Sequence, residues 1–572
     1  MRLAACVTAS MLLAGGAGTA RAQAAPVRVP CRGQRIEAIT ITSRAPTVSG
    51  VRRVPVLSEV AAAVHTTTQP DVISRFLLLH AGDRCSERRR VESEHVLRAQ
   101  PFLADATIIV LAADSGAVTL DVQTIDEVAA IFSATMRSKG PLLTGLRIGD
   151  ANAAGEAVYL AGHWWQEPGL RDGYSFGITD YQFLGQPYQA TAIAARDPLG
   201  GEYHFDVQHP FSTDLQRVAW RVQRGRSDGY VRFVDDTGAT HADLLSRDYA
   251  DIGGVARIGP PGRLALVGFS LSHETAYAGA TPILISPQGT SPDPGFPVAT
   301  RYASHNASRL NALLGYRQLR YVAATGFDGL RDVEDVPVGV EIGALIGKST
   351  PFLNSMDHDM LVGSDLYAGV ADSTWGLRLQ TEAEARHPDG GEQWDGVLSS
   401  GRIAWNQRVT GAQMLVTSVD WGGGWRVRVP FRVTLAGREG GIRGMPEGIE
   451  QGGRRAIARV EDRVLLESLG SGFADVGFAV FADAGRLWAG DVPFGTTSPI
   501  EYSAGISLLA AVPSRSARLW RLDIAVPHVP GRGFRLAISL SRNDASLGFW
   551  QEPRAVDRAR ERSVPVSLFN WP

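Results

Sequence analysis

In the stretch "FADVGFAVFADAG" (residues 473–485), apolar side chains alternate with small or polar ones. Successive side chains of an extended strand point to opposite sides, so Val476, Phe478 and Val480 share one face. The other face carries Asp475, Gly477, Ala479, Phe481, Asp483 and Gly485. A period of two residues predicts a β-strand with one apolar and one polar face.

The same alternation recurs over much of the chain after about residue 128. It is clear in "YSFGITDYQF" (174–183), "RRAIARVEDRVLL" (454–466) and "FRLAISLSRN" (534–543). In the second segment Glu461 lies on the polar face with several arginines. A soluble β-protein turns its apolar face inward, whereas a membrane barrel turns it outward, so alternation alone leaves both open.

Three features favour the membrane barrel. Residues 1–22 have the apolar run and small-residue cleavage site of a secretory signal peptide. Trp164, Trp165, Trp488 and Trp520 recur near strand ends, as the aromatic belts of a membrane protein require. The polar faces hold small residues and opposite charges, which suits a water-filled interior. We therefore expect a mainly β protein in the outer membrane of a Gram-negative-type bacterium.

Composition excludes several classes of function. The 572-residue chain has 57 Lys and Arg against 59 Asp and Glu, which gives no reason to expect a nucleic-acid partner. The sequence contains no apolar run of about 18 residues, so it predicts no membrane-spanning helix. Catalytic and paired metal-ligand motifs are absent from the sequence, so we expect no enzyme activity, no cofactor and no metal.

Two cysteines remain after the predicted cleavage, Cys31 and Cys85. Exported proteins fold in oxidising compartments, and the pair therefore predicts one disulfide. Two buried free thiols are the alternative.

Residues 35–127, after a lead-in segment at 23–34, mix strand and helix signals. The order is strand, helix, helix, strand, strand, with segments at 35–42, 57–64, 86–100, 106–114 and 117–126. This order resembles the POTRA domain, a periplasmic module of outer-membrane assembly and secretion proteins. The residues that carry the resemblance are 76–87, 92–108 and 118–126. A generic small α+β domain is the alternative.

The glycine-rich stretch "GGIRGMPEGIEQGG" (440–453) holds the most specific resemblance. Ile442-Arg443-Gly444-Met445 resembles the Val/Ile-Arg-Gly-Phe/Tyr motif of the BamA, TamA and two-partner-secretion transporter superfamily. The resemblance implies a loop that folds back into the barrel, with its arginine paired to an acidic residue on a Phe-x-Asp-x-Gly strand. That pattern is present as Phe481-Ala-Asp483-Ala-Gly485. Strand parity independently places Asp483 and Glu461 on the inward face, so we expect Arg443 to bond Asp483 with Glu461 nearby.

Other segments resemble the same superfamily in order. Asp180 and Gly185 are the first and last residues of "DYQFLG", which predicts a tight turn. The segment "DANAAG" (150–155), thirty positions earlier, also begins with Asp and ends with Gly. We expect both turns to lie on one rim. Two departures stand out: Met445 replaces an aromatic residue, and a tail follows residue 543. We expect residues 546–572 to be an extension, with "VPVSLFNW" (564–571) as an alternative last strand.

The resemblance implies an architecture and a function. It predicts a transmembrane antiparallel barrel of about 16 strands at residues 128–545, behind one POTRA-like periplasmic domain at 35–127. The implied function is assembly or translocation of polypeptides at the outer membrane without an energy source of its own. Expected partners are outer-membrane lipid, a client or secreted polypeptide, and periplasmic chaperones or accessory lipoproteins. Dedicated two-partner secretion and a passive or structural pore remain alternatives.

Overall fold

The computed structural model describes most of the chain in segments separated by gaps. The described residues are 27–45, 67–113, 116–136, 143–279, 281–353, 355–448, 450–466, 474–529, 531, 533–544 and 549–562. Three predicted elements therefore lie outside the described residues: the signal peptide at 1–22, the helix at 57–64 and the alternative last strand at 564–571.

The N-terminal part contains a four-stranded sheet and two helices. Its strands are β1 (Arg32–Arg44), β2 (Arg84–Ser86), β3 (Leu103–Ala112) and β4 (Val118–Asp126), and its helices are α1 (Pro70–Arg75) and α2 (Glu87–Arg98). The strand order is β2-β1-β4-β3, with β1 parallel to β4 and β3 antiparallel to it. Every second side chain of β4 is buried, because one face of the sheet packs against the helices.

A disulfide joins Cys31 to Cys85, with the two Cα atoms 5.3 Å apart. Both cysteines are buried in the core of this part, which also includes Val72, Leu97 and Val122. The bond ties the start of β1 to β2 across 54 residues of sequence.

All later strands belong to one large sheet. In the described part of the chain it consists of β5 (Ala130–Met136), β6 (Leu143–Asp150), β7 (Val158–Trp165), β8 (Gly173–Asp180), β9 (Gln189–Arg196), β10 (Gly200–His209), β11 (Val218–Val234), β12 (Thr240–Ile258), β13 (Leu264–Ala278), β14 (Ile283–Ser286), β15 (Gly289–Pro292), β16 (His305–Thr325), β17 (Val333–Ser349), β18 (Asp359–Ala371), β19 (Trp375–Pro388), β20 (Asp395–Thr410), β21 (Gln413–Trp425), β22 (Arg454–Leu465), β23 (Asp475–Trp488), β24 (Glu501–Ala511), β25 (Arg518–Val529), β26 (Gly533–Phe534) and β27 (Ala537–Asp544).

Neighbouring strands of the large sheet pair antiparallel in chain order. The β11–β12 pair, for example, runs in unbroken register from Val218↔Ala256 to Val234↔Thr240. β13 pairs directly with β16, so the short β14–β15 hairpin is an excursion from this sequence of pairs. The strand order brings the last strand, β27, next to the first, β5.

The expectation of about 16 strands is not confirmed. The large sheet contains 23 strands among the described residues, and 20 remain when the short pieces β14, β15 and β26 are left out (23 − 3). Alternation identifies strands but not their ends, and the early segment at 130–209 holds six short strands joined by tight turns. The described part of the tail, 549–562, contains a helix, α3 (Arg554–Ala559).

The two faces of the large sheet have the reverse of the polarity expected in a soluble protein. One face exposes large apolar side chains, including Phe269 at 66%, Val480 at 55% and Leu540 at 68% exposure. The other face buries ionisable ones, including Arg309, Glu461 and Asp483. We call these the outer face and the inner face. The alternation predicted from the sequence is therefore present, with its apolar side outward.

The N-terminal part contacts one end of the large sheet, here called the proximal end. Arg98 of α2 donates to the Asp335 carboxylate at 2.7 Å, and Arg518 donates to the Pro101 carbonyl at 2.6 Å. These two contacts lie at the first residues of β17 and β25, so the strands begin there and run toward the distal end. Among the described residues, no helix has the length and apolar character needed to cross a membrane.

Candidate functional site

The segment between β21 and β22, residues 426–453, lies against the inner face of the large sheet; we call it the inner loop. Its alternate residues from Val427 to Leu435 are buried, in a cluster with Ile442 and Met445. Val433 and Gly452 exchange two backbone hydrogen bonds of 2.9 Å, which close the loop on itself. Residues 441–445 of the glycine-rich stretch are therefore packed, whereas residues 446–448 are exposed.

Arg443 makes a forked contact with Asp483. Its Nε donates to Asp483 Oδ2 at 2.8 Å and its Nη2 donates to Oδ1 at 2.6 Å. The backbone N–H of Arg443 donates to the same Oδ2 at 3.0 Å. Two parallel N–H···O bonds fix both the position and the plane of a guanidinium. The structure thus brings together the two residues that the sequence paired.

Glu461 joins this pair from the neighbouring strand. Arg443 Nη1 donates to Glu461 Oε2 at 2.5 Å, and Glu461 also accepts from Arg463 at 2.6 Å and from Arg521 at 2.6 and 2.9 Å. Arg521 lies 3.7 Å from Asp523. Three arginines therefore face three carboxylates, which leaves the cluster formally neutral.

The carboxylates of this cluster stabilise the positive charge of Arg443. Burial alone would lower the pKa of its guanidinium, but the hydrogen bonds and charges of Asp483 and Glu461 outweigh burial and raise that pKa above its ordinary value. The guanidinium carbon also lies 3.6 Å from the centre of the Phe481 ring, a cation–π contact. Arg443 is thus gripped on its edges by carboxylates and on its face by an aromatic ring.

Two glycines allow the close fit. Gly444 has φ +77°, and a Cβ built on it would lie 2.8 Å from the Cβ of Ala525 and 3.1 Å from that of Ala537. The motif therefore lies directly against β25 and β27. A Cβ on Gly485 would lie 3.2 Å from Ile442 Cδ1, so this glycine makes room for the fully buried Ile442.

The motif's departure from the family pattern, Met445, is also buried. Only 5% of Met445 is exposed, and it belongs to the same apolar cluster as Ile442 and Phe431. A flexible thioether fills irregular space well, so the side chain packs here without an aromatic ring.

Two further arginines hold the loop backbone. Arg455 donates to the carbonyls of Thr434 at 2.7 Å and Glu439 at 2.9 Å, and Arg459 donates to Gly440 at 2.7 Å. Both are among the arginines that share the polar face of 454–466 with Glu461, and the sequence assigned them no role. Their parity could have suggested contact with an entering loop, but a carbonyl acceptor leaves no signal in the sequence.

Asp180 and Gly185 lie in a turn at the proximal end. Asp180 accepts from the Gln182 N–H at 2.8 Å, and Gly185 has φ +67°. The earlier copy of this turn has the same contacts at Asp150 and Gly155. Both turns reach the N-terminal part: Asn152 donates to Thr68 at 2.7 Å and Gln182 to the Val72 carbonyl at 2.8 Å. The repeated hexapeptide thus marks the contact between the two parts of the chain.

The site anchors the inner loop to side chains of β22, β23 and β25. Its carboxylates are saturated by arginines, and among the described residues no group of three or more His, Cys, Asp and Glu side chains could hold a metal ion. Sequence reasoning missed Arg521, which lies three strands away from Glu461 in the sheet order. It also missed the position of the tail, which packs on the inner loop through Val556 and Ala559.

Comparisons with known proteins give a coarse likeness of fold. No family model and no curated protein matches the chain. BamA from Haemophilus ducreyi lacking POTRA domains 1–3 is 13% identical, over 89% of this chain and 85% of that one, with a TM-score of 0.37. CdiB from Escherichia coli is 13% identical over 89% and 75%, with a TM-score of 0.41. CdiB from Acinetobacter baumannii is 11% identical over 89% and 73%, with a TM-score of 0.39. At these values the likeness is one of large β-sheet architecture and carries no argument about the site.

Proposed function

We propose that the chain is an outer-membrane β-barrel that inserts polypeptides into the outer membrane or moves them across it. Two features support a membrane barrel: an apolar outer face with a charged inner face, and a strand order that brings β27 next to β5. A closed barrel satisfies every backbone hydrogen bond within lipid. The N-terminal part would then be a periplasmic POTRA-like domain, and no catalytic step or cofactor is proposed.

The observation that supports the handling of polypeptides is the unequal length of the strands in the large sheet, here called the wall. β7, β8 and β9 have eight residues each, whereas β12 has 19 and β16 has 21. Eight residues span about 26 Å along a strand and about 19 Å across a membrane at a tilt of ~45°. That is shorter than the apolar band of about 25 Å that such barrels present. Lipid beside β7–β9 would have to thin, which lowers the barrier to inserting a client strand there.

In this proposal a client arrives from the periplasm, on the side of the N-terminal part. That part contacts the turns that flank the short strands β7–β9, through Asn152 and Gln182. A client strand could add to the edge of its sheet by backbone hydrogen bonds. Periplasmic chaperones or accessory lipoproteins would be the partners that deliver it. An open passive pore is disfavoured, because the inner loop and the tail occupy the interior.

The barrel part of the proposal predicts heat-modifiable migration. Unheated protein in mild detergent should run at a different apparent mass from boiled protein on a gel, because a closed hydrogen-bonded sheet resists detergent. Cell fractionation gives the second readout: the chain should stay in the outer-membrane pellet after a carbonate wash. Release by carbonate alone would contradict a membrane barrel.

The function itself is tested by depletion in the bacterium that makes the chain. We expect a subset of outer-membrane β-barrel proteins to fall several-fold in a quantitative proteome, and to recover when wild-type chain is restored. The variant Arg438→Ala, which changes an exposed residue of the inner loop, should restore the amounts of these proteins as fully as the wild-type chain does. Loss of one secreted protein with an unchanged outer membrane would favour dedicated secretion. No change in either fraction would overturn the proposal.

A further inference from the structure

The described part of the tail, residues 549–562, lies inside the large sheet. Phe549 packs over Arg378, with the guanidinium carbon 4.6 Å from the ring centre, and Trp550 is buried. Further along, Val556 is fully buried in the cluster formed by the inner loop. The tail thus fills space between the inner loop and the wall strands.

Ion pairs with the wall hold the far end of the tail. Glu561 is bonded by Arg309 of β16 and by Arg386 of β19, the latter at 2.6 Å, and all three side chains are buried. The N–H of Arg562 donates to Glu274 of β13 at 2.7 Å. Near the start of the tail, Arg402 of β20 donates to the Phe549 carbonyl at 3.1 Å. The segment therefore bridges two pairs of neighbouring strands, β13–β16 and β19–β20, which are separated by β17 and β18.

A glycine on the inner face of the wall leaves room for the middle of the tail. Gly422 faces inward on β21, and a Cβ built on it would lie 3.1 Å from Pro553 Cγ and 3.4 Å from Val556 Cγ2. Any larger residue at this position would push against the start of α3. The tail is thus fitted to the wall by shape as well as by charge.

The contacts that hold the tail can be released without opening the sheet. The backbone hydrogen bonds of α3 close within the tail, for instance Val556 N–H to Pro553 and Arg560 N–H to Val556. A helix of six residues is not stable alone, so the tail keeps this shape only while it is seated. On the side of the large sheet, the contacts described above use only side chains, so breaking them leaves every strand pair intact. Arginines that lose Glu561 would be solvated by the water that replaces the tail.

We propose that residues 549–562 form a displaceable plug, which closes the interior of the barrel and must leave it before a polypeptide or a large ion current can pass. The proposal rests on the barrel of the proposed function. Glu561 is the main contact of the plug, because its carboxylate accepts from two arginines that belong to different strands. Gly422 forms part of the seat of the plug.

A reversible crosslink tests the plug in the full chain. Ideal Cβ positions at Gly422 and Pro553 are 3.8 Å apart, within the range of about 3.5–4.5 Å that disulfides span. Single-channel conductance of Gly422→Cys/Pro553→Cys should stay low and steady when oxidised, and rise on addition of a reductant. Wild type with and without reductant controls for the native Cys31–Cys85 bond. Equal conductance of the oxidised and reduced double variant would overturn the plug.

A charge variant gives an independent readout if the crosslinked chain fails to assemble. Glu561→Gln should raise the frequency of openings by at least about tenfold, because it breaks a buried ion pair. Asp557→Asn is the matched control: it removes a carboxylate of the same tail that pairs with Arg562 within the tail, at 3.0 Å. Its openings should stay near the wild-type frequency. A Glu561→Gln chain as closed as wild type would also count against the plug.

Conductance separates this proposal from the proposed function. In one result, the conductance depends on the crosslink while the outer-membrane proteins do not depend on the chain. That result would support the plug and contradict the proposed function. In the converse result, the outer-membrane proteins depend on the chain but the conductance does not change with the crosslink. That result would support the proposed function and contradict the plug.

Discussion

Replacing Arg443 by alanine should release the inner loop from the wall while the sheet stays assembled. Asp483 would be left as a buried carboxylate without its forked partner, whereas Glu461 keeps Arg463 and Arg521. Breaking a buried pair by removing one partner costs on the order of 3–5 kcal/mol. Because about 1.4 kcal/mol is tenfold in an equilibrium constant, the loop should open hundreds to thousands of times more often.

Hydrogen exchange of the loop amides measures this opening. The N–H of Ile442 bonds the Leu435 carbonyl at 3.0 Å, an acceptor that remains in every variant of the cycle, so it reports release of the motif. The N–H of residue 443 bonds Asp483 at 3.0 Å and is a second reporter wherever Asp483 is retained. Asp483→Ala should have a similar effect, and the double variant should be little worse than either, because both residues act through one contact. Arg443→Lys should also be impaired, since an ammonium cannot make the forked contact.

The control for this cycle is Arg438→Ala, an exposed arginine of the same loop. It should leave exchange at Ile442 and Arg443 unchanged. Fully additive effects of Arg443→Ala and Asp483→Ala would mean that the two residues do not act as a pair. Loss of the sheet in either variant would show that the contact builds the barrel rather than seats the loop.

Replacing Gly444 by alanine should unseat the same motif by crowding rather than by charge. Gly444 has φ +77°, and the added Cβ would lie 2.8 Å from the Cβ of Ala525 on β25. Left-handed backbone costs a non-glycine residue roughly 1–2 kcal/mol. Overpacking against a well-packed neighbour adds typically about 1–3 kcal/mol.

Gly448 separates these two costs, because it lies in the same loop at φ +74° with nothing within 4 Å of an added Cβ. Gly448→Ala therefore carries the backbone strain alone. We expect Gly444→Ala to speed proteolysis within 440–453 by roughly five- to hundredfold more than Gly448→Ala, the ratio that about 1–3 kcal/mol produces. Equal cleavage of the two variants would mean that Gly444 is not pressed against β25.

Several features of the site could be predicted from the sequence because they depend on local geometry. A period of two places Asp483 on the face opposite Val480 wherever the strand lies, and the same parity places Glu461 inward. The turn at Asp180 and Gly185 follows from short-range hydrogen bonds within six residues. The resemblance at residues 442–445 then paired the arginine with Asp483.

The number of strands could not be obtained in this way. Alternation continues through the short strands β5–β10 and marks neither where each strand begins nor where it ends. The length of each strand depends on the pairing available from its neighbours, which is a property of the whole sheet. Counting from an expected architecture therefore gave about 16 strands where the described residues form 23.

The polarity of each strand and the motif at Arg443 follow from the sequence alone, since each is encoded within a few residues. The pairing of Arg443 with Asp483 came from the resemblance together with strand parity. Only the tertiary structure decided that Arg521 meets Glu461 from three strands away, and that the tail is seated beside Gly422. Both contacts arise because the curvature of the sheet turns distant strands toward a common interior. Curvature accumulates over every strand pair in the sheet, and no single segment of sequence contains it.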